Sequence, residues 1–173
     1  MEPEWELDDD PCDGPVGRDA LSFLREHGSL VGYRQDVSTA FSLRGRDYRR
    51  ADLSSSDFSR GGLQGVRFGC ASFRLATLTG HFALCDFRRA NFRGATFRGA
   101  YLEACDFRRA DLRDTDMRFA RFETRQVGGG RHGCNLDNAL LVGADLRGAT
   151  FRAETIWPSD FDPEQHGAVA APM

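Results

Sequence analysis

The sequence ANFRGATFRGAYLEA, residues 90–104, decides the fold, because its pattern returns every five residues. In 19 of the 23 units a large apolar residue such as Phe92 follows a small residue such as Ala90 at a distance of two. The step can be followed from about residue 40 to residue 156 in 23 units, and ten of the 14 phenylalanines lie in it. A pattern this regular predicts one continuous repeat structure.

The large residue of each unit is expected to point into the interior. The register shifts after Leu78 and again after Val127. The expected inward residues are Leu43, Tyr48, Leu53, Phe58, Leu63, Phe68, Phe73, Leu78, Phe82, Phe87, Phe92, Phe97, Leu102, Phe107, Leu112, Met117, Phe122, Val127, Leu136, Leu141, Leu146, Phe151 and Ile156.

A period of five fits neither standard element. An amphipathic helix repeats its apolar residues at three and four, and a half-buried strand repeats them at two. A chain that turns a corner in every unit does fit, and its stacked coils would contact only their neighbours, as in a solenoid. Alternating small and large inward residues would fill a narrow interior without voids.

The motif Ala-Asp/Asn-Leu/Phe-X-X resembles that of the pentapeptide-repeat proteins, over roughly residues 40–157. The resemblance implies an all-β fold, a right-handed quadrilateral β-helix with one repeat on each side. Four repeats would then make one coil, and the repeats would make nearly six coils. At the strand spacing of roughly 4.8 Å, the rod would be on the order of 28 Å long.

Residues 1–39 are expected to form an acidic arm and a short capping helix ahead of the β-helix at 40–157. Residues 1–17 are rich in Asp, Gly and Pro, which predicts a flexible arm. Residues 18–27 predict a short helix that ends near Gly28. An open first coil exposes unpaired strand edges, so this helix is interpreted as an N-terminal cap, with a partner-docking helix as the alternative.

Residues 158–173 are expected to form a C-terminal tail. Trp157 and Phe161 are predicted to fold back over the last coil, while Pro158 and Pro163 keep the tail from continuing the ladder. A second irregular segment, residues 128–133, contains three consecutive glycines and predicts a flexible surface loop. The alternative of a phosphate cradle lacks the Walker spacing.

The five cysteines predict neither a disulfide framework nor a metal site. Cys85, Cys105 and Cys134 occupy the small inward slot, where cysteine behaves as a small hydrophobic residue. There is no CxxC pair and no Cys/His cluster. With an acidic N-terminus and no apolar run long enough to span a bilayer, the sequence predicts a cytoplasmic protein without cofactors.

Charge is divided along the chain. Residues 1–39 carry ten acidic residues and three arginines, residues 40–156 carry 20 arginines and 13 acidic residues, and the chain has no lysine. An acidic arm therefore precedes a basic rod. The candidate partner-binding residues share one position, directly after an inward residue, and coils of four repeats would stack them in pairs. They are Arg88, Arg93, Arg98, Arg108, Arg113 and Arg118.

Catalysis is not expected, because the four histidines are scattered and no serine lies in a nucleophile elbow. The resemblance extends to the quinolone-resistance class of the family, which implies a non-catalytic interaction module with DNA gyrase, a type II topoisomerase, as the leading named partner. The alternatives are a structural or scaffold protein with an unknown protein partner, and a polyanion binder that uses the arginines. Direct nucleic-acid binding is disfavoured because the phenylalanines point inward, and the oligomeric state stays open.

Overall fold

The computed structural model describes residues 10–20, 44–59 and 62–172, and their backbone forms a nearly all-β solenoid. The strands are short, two or three residues each. They are β1 (Gly62–Gln64), β2 (His81–Ala83), β3 (Tyr101–Glu103), β4 (Arg121–Glu123), β5 (Arg125–Val127), β6 (Gly130–His132), β7 (Thr150–Phe151) and β8 (Val169–Ala170). The predicted β-helical fold is confirmed.

One side of the solenoid, here called the strand side, is a six-stranded parallel sheet in the order β1–β2–β3–β4–β7–β8. Tyr101 of β3 pairs with Arg121 of β4, which lies four repeat units further along the chain. Gly62 of β1 pairs with His81 of β2, a step shorter by one residue, which agrees with the predicted shift after Leu78. Four five-residue units therefore make one coil.

The other three sides consist of single parallel bridges between successive coils. They are numbered in the order in which the chain reaches them from the strand side. The first bridge side includes Asp86 and Asp106, the second Asn91 and Asp111, and the third Thr96 and Asp116. Each coil thus has four sides, as the resemblance implies.

The interior is filled by the large residue of the repeat. Phe97 and Phe107 are completely buried, as predicted. The rings of Phe68, Phe87 and Phe107 stack almost parallel, with centroid separations of 5.3 and 5.0 Å. These separations are close to the distance between neighbouring strands, about 4.8 Å, so each of these three coils adds one ring to the stack.

Many corners after the bridge sides are closed by the polar side chain that stands directly before the inward residue. Asp86 shows the arrangement: its Oδ1 accepts a hydrogen bond from the backbone N–H of Arg88 at 3.0 Å, which forms an Asx-turn. The next residue, Arg89, has a φ of 55°, in the left-handed region. The local turn therefore explains why Asp, Asn, Ser or Thr so often stands before the inward residue.

Val127 is not an inward residue, which corrects the predicted register. It lies in β5, which pairs with β6 as an antiparallel hairpin. The segment 128–133, expected to be a flexible loop, supplies the turn and the second strand of that hairpin. Gly128 and Gly129 both have positive φ values, and two such residues suit the tight turn that joins two antiparallel strands.

The strict step of five also predicts wrongly that Ile156 points into the interior. Ile156 is 51% exposed, and Trp157 takes the inward position instead. The step from Phe151 to Trp157 is six residues, one more than the regular unit. Ile156, five residues after Phe151, therefore points outward. Leu43, another predicted inward residue, lies outside the described residues.

The arm packs against the rod in its described part, residues 10–17, contrary to the expected flexibility. Cys12 forms a disulfide with Cys70, so the expectation that no disulfide exists is wrong. Cys70 lies at a corner and has a positive φ. The prediction rested on the cysteines at the small inward position, and Cys70 is not one of them. Further along the arm, the backbone N–H of Gly17 donates to the carbonyl oxygen of Arg49 at 2.7 Å.

Residues 18–20 are helical, at the start of the predicted capping helix. Ala20 is completely buried. Asp19 accepts a hydrogen bond from the backbone N–H of Asp47 at 2.7 Å, so the polar backbone of the first coil is satisfied there. Residues 21–27 of the predicted helix lie outside the described residues.

The C-terminal tail both caps and extends the solenoid. Trp157 packs on Phe122 and Phe161, with ring centroids 5.2 and 5.7 Å away, as expected for a cap. The tail nevertheless adds β8 to the strand side, so the prediction that the prolines end the ladder is wrong. Both prolines precede the turn at Gly167, whose φ is 87°, and the chain re-enters the ladder after them.

Candidate functional site: the arginine corners

The six candidate arginines stack in pairs between neighbouring coils, as a coil of four repeats predicts. The pairs are Arg88 with Arg108, Arg93 with Arg113, and Arg98 with Arg118, and they follow the first, second and third bridge sides respectively. The structure therefore divides them among three corners of the rod, and no single flat face includes all six. Their role in partner binding stays a prediction.

Most of these arginines bind the carboxylate two residues earlier in their own coil. The Nε of Arg88 lies 2.9 Å from Asp86, and a terminal nitrogen of Arg113 lies 2.6 Å from Asp111. The arrangement also occurs outside the candidate set. The pairs are Asp47–Arg49, Asp86–Arg88, Asp106–Arg108, Asp111–Arg113, Asp116–Arg118 and Asp145–Arg147.

These contacts favour the ionised carboxylates. The hydrogen bonds from Arg113 lower the pKa of Asp111, and those from Arg147 lower the pKa of Asp145 to about 2. The carboxylate charge therefore compensates much of the arginine charge at neutral pH. The spacing Asp-X-Arg is visible in the sequence, and the aspartates that lie among the arginines are expected from it to offset much of their charge.

Arg93 and Arg98 are exceptions because the residue two positions earlier is Asn91 or Thr96 rather than aspartate. Arg93 reaches Asp114 of the next coil at 3.3 Å, between two exposed side chains. Arg98 makes no salt bridge within residues 10–20, 44–59 and 62–172, and its guanidinium lies 5.8 Å from the ring centroid of Phe119. Among the described residues, Arg98 therefore has no carboxylate at salt-bridge distance.

The arm reaches the corner after the first bridge side. The carboxylate of Asp10 lies 3.0 Å from a terminal nitrogen of Arg89, directly below Arg109 of the next coil. Pro11 packs so closely on Gly69 that a side chain there would collide with it. An acidic residue of the arm thus neutralises a corner arginine that lacks its own Asp-X-Arg partner.

The described side chains offer little nucleophilic chemistry. Burial raises the pKa values of the Cys105 and Cys134 thiols well above their ordinary value, so these thiols are not poised to react. Asp10 lies beside Cys12 and Cys70, but the two sulfurs are bonded to each other and offer no thiolate to a metal. No helix in the described part of the chain has the length and apolar character needed to cross a bilayer.

The repeat is also found by comparison with a protein family. Residues 85–123 and 132–153 match the model of the pentapeptide repeats in eight copies. The interval between the two matched segments contains most of the β5–β6 hairpin, which interrupts the coil. The solenoid therefore contains pentapeptide repeats over these residues.

Several solved structures are similar to the chain. A pentapeptide-repeat protein of the Arabidopsis thaliana thylakoid lumen is 18% identical with a TM-score of 0.38, the match covering 72% of this chain and 66% of that chain. QnrB1, a plasmid-mediated fluoroquinolone resistance protein, is 18% identical with a TM-score of 0.43, covering 82% and 88%. HetL, a protein involved in heterocyst differentiation regulation in Nostoc sp. strain PCC 7120, is 18% identical with a TM-score of 0.37, covering 77% and 61%. A search of curated proteins finds no significant match.

Proposed function

We propose that the protein is a non-catalytic interaction module that recognises a protein partner through the outer corners of its rod. The observation that carries this proposal is the filled interior, in which rings such as Phe97 and Phe107 are completely buried. Binding therefore uses the outer surface, where corner side chains such as Arg98 are exposed. The fold itself does not specify the partner.

The leading named partner is DNA gyrase. This choice is supported by the resemblance of the repeat motif to the quinolone-resistance class of the family. A cytoplasmic location would go with that partner, although the disulfide between Cys12 and Cys70 weighs against a reducing compartment. The named partner and the location are both parts of this proposal.

A gyrase supercoiling assay tests the named partner. The purified protein is titrated into the reaction with and without a fluoroquinolone, and DNA cleavage complexes are counted in parallel. Micromolar protein is expected to inhibit supercoiling or to protect gyrase from the drug. The double variant Arg93→Glu with Arg113→Glu tests the corner that follows the second bridge side, here called the second corner. Arg50→Glu changes an exposed corner arginine near the start of the rod as a control.

Each outcome of this assay has a defined meaning. Loss of the effect in the double variant but not in Arg50→Glu places the contact at the second corner. An equal effect of all variants removes that corner from the contact. No effect on supercoiling, on cleavage complexes or in a gyrase pull-down rejects gyrase and leaves the general interaction module.

A further inference from the structure

Phe119 occupies a backbone position that suits glycine. Two residues turn the corner between the third bridge side and the strand side. Phe119 is the second of them, and its φ is 62°. In the coil below and the coil above, the same position is held by Gly99 and Gly148. A bulky residue is disfavoured in the left-handed region, and Phe119 is the one aromatic residue among the described non-glycine residues with a positive φ.

The aromatic ring of Phe119 gains little burial in return for this strained backbone. Its exposed fraction is 55%. The ring lies on Gly148, where an added Cβ would be 2.7 Å from two ring carbons. The absence of a side chain on the glycine above thus leaves room for the ring at the surface, where its exposed part can contact a partner.

The residues around Phe119 are unusual for this rod. Arg98 lies 5.8 Å from the ring centroid. Tyr101 and Arg121 are paired residues of β3 and β4, immediately past the same corner. Both are exposed, and among the described residues neither Arg98 nor Arg121 forms a salt bridge. The aromatic corner, defined as Arg98, Tyr101, Phe119 and Arg121, therefore combines two exposed rings with two arginines that form no salt bridge among the described residues.

We propose that the aromatic corner is a docking site for an acidic segment of a protein partner that also supplies an apolar side chain. Arginine and aromatic residues carry much of the binding energy at protein interfaces. The planar guanidinium groups of Arg98 and Arg121 suit carboxylates, and the exposed ring of Phe119 suits an apolar contact. The positive charge offered to an acidic segment comes from Arg98 and Arg121, because the neighbouring Arg118 already pairs with Asp116.

A single-stranded nucleic acid fits the aromatic corner less well. Such strands are held by a positive groove that follows many phosphates, with bases stacked on aromatic side chains. This corner offers two arginines without a salt bridge among the described residues, rather than a positive groove that could follow many phosphates. Binding to a nucleic acid is therefore the contrary outcome of the test.

The proposal rests on the proposed function of an interaction module but not on gyrase. Its test uses short fluorescein-labelled peptides rich in Asp and Glu with a central Leu-Phe pair, and a labelled oligothymidine of matched length. Binding is measured by fluorescence anisotropy at low and moderate salt. The acidic peptide is expected to bind more tightly than the oligonucleotide and more tightly than a peptide in which Leu-Phe is replaced by Ser-Ser.

The chain offers a matched pair of variants. Phe119→Gly removes the ring and places glycine at a positive φ, so its melting temperature is expected to stay equal or rise. Leu75→Gly is the control, since Leu75 also has a positive φ, at 58°, and is 67% exposed at a different corner. Peptide affinity is expected to fall at least about tenfold in Phe119→Gly and in Arg98→Gln, and to stay unchanged in Leu75→Gly.

Several results would overturn the docking site: no binding of the acidic peptide, preferred binding of the oligonucleotide, or equal losses in Phe119→Gly and Leu75→Gly. The gyrase assay separates this proposal from the proposed function. If gyrase responds to the protein and Phe119→Gly leaves that response unchanged, the docking site is rejected for gyrase while the interaction module stands. If the peptide binds as expected and gyrase does not respond, only the named partner is rejected.

Discussion

Cys12 of the arm is bonded to Cys70 at a corner of the rod, with their Cα atoms 5.4 Å apart and a sequence separation of 58 residues. On either side of this bond, Asp10 contacts Arg89 and Gly17 donates a backbone hydrogen bond to Arg49. The described part of the arm therefore runs along three successive coils. Arm and rod are expected to unfold together.

Loss of the disulfide should lower the stability of the whole rod. For Cys12→Ser we expect the free energy of unfolding to fall by about 2–4 kcal/mol, because the open chain gains conformational entropy when it unfolds. Urea denaturation measures the change. A reductant should destabilise the wild type by a similar amount and leave Cys12→Ser unaffected, whereas equal reductant effects on both proteins would contradict a stabilising bond.

The arm should weaken the attraction of the rod for polyanions. Deletion of residues 1–17 removes the Asp10 carboxylate from Arg89, so retention on heparin at low salt is expected to increase, with a circular dichroism spectrum that still shows the β-helix. Asp10→Asn should increase retention more than Asp160→Asn, an equal change of charge at an exposed site of the tail. Unchanged retention would show that the arm does not screen the rod.

The inward register can be tested with two substitutions. Phe107→Ala should lower the free energy of unfolding by about 3–5 kcal/mol, because it removes a fully buried ring and leaves a cavity. Ile156→Ala, at a site that the strict step of five places inside, should change it by less than about 0.5 kcal/mol, because that side chain is exposed. Similar effects of the two substitutions in thermal melts would contradict the observed register.

The Asp-X-Arg pairs should make stability fall in acid. Arg113, Arg118 and Arg147 lower the pKa values of their partner aspartates, that of Asp145 to about 2. A carboxyl whose pKa is lower in the folded state stabilises the fold above its unfolded pKa, near 3.8, and loses that contribution as pH falls towards the folded value.

We therefore expect the free energy of unfolding to decline between about pH 4 and pH 2, as measured by urea denaturation across that range. Asp145→Asn should flatten this decline slightly, and high salt should do the same because these pairs are near the surface. The control Asp160→Asn changes an exposed aspartate that has no ion pair in the described part of the chain. A decline identical in both variants would rule out a contribution from the Asp145–Arg147 pair.

The fold could be predicted well from sequence alone because the same pair of inward positions, one small and one large, recurs every five residues. The step of five placed Phe97 and Phe107 inside correctly, and the shift after Leu78 agrees with the shorter step from β1 to β2. It could not place Ile156, because one extra residue in a corner changes which side chain faces inward without changing the apolar composition.

The candidate site was predicted less well, since surface chemistry depends on contacts between coils and across corners. The stacking of the arginines followed from the period, yet their neutralisation by Asp-X-Arg pairs depends on side-chain geometry at each turn. The bond between Cys12 and Cys70 joins two irregular positions, one in the arm and one at a corner. The exposed ring of Phe119 was not predicted, because the period of five describes the inward positions and says nothing of the corner residues.

The β5–β6 hairpin leaves the rod and returns to it without disturbing the coils on either side. β4 still pairs with both β3 and β7, and Asp106 pairs with Asn135 just beyond the hairpin. The ladder therefore accommodates a hairpin inserted at this corner. A binding peptide grafted between Gly128 and Gly129 would be displayed at a fixed height on a rigid support, so this position makes the rod a natural presentation scaffold.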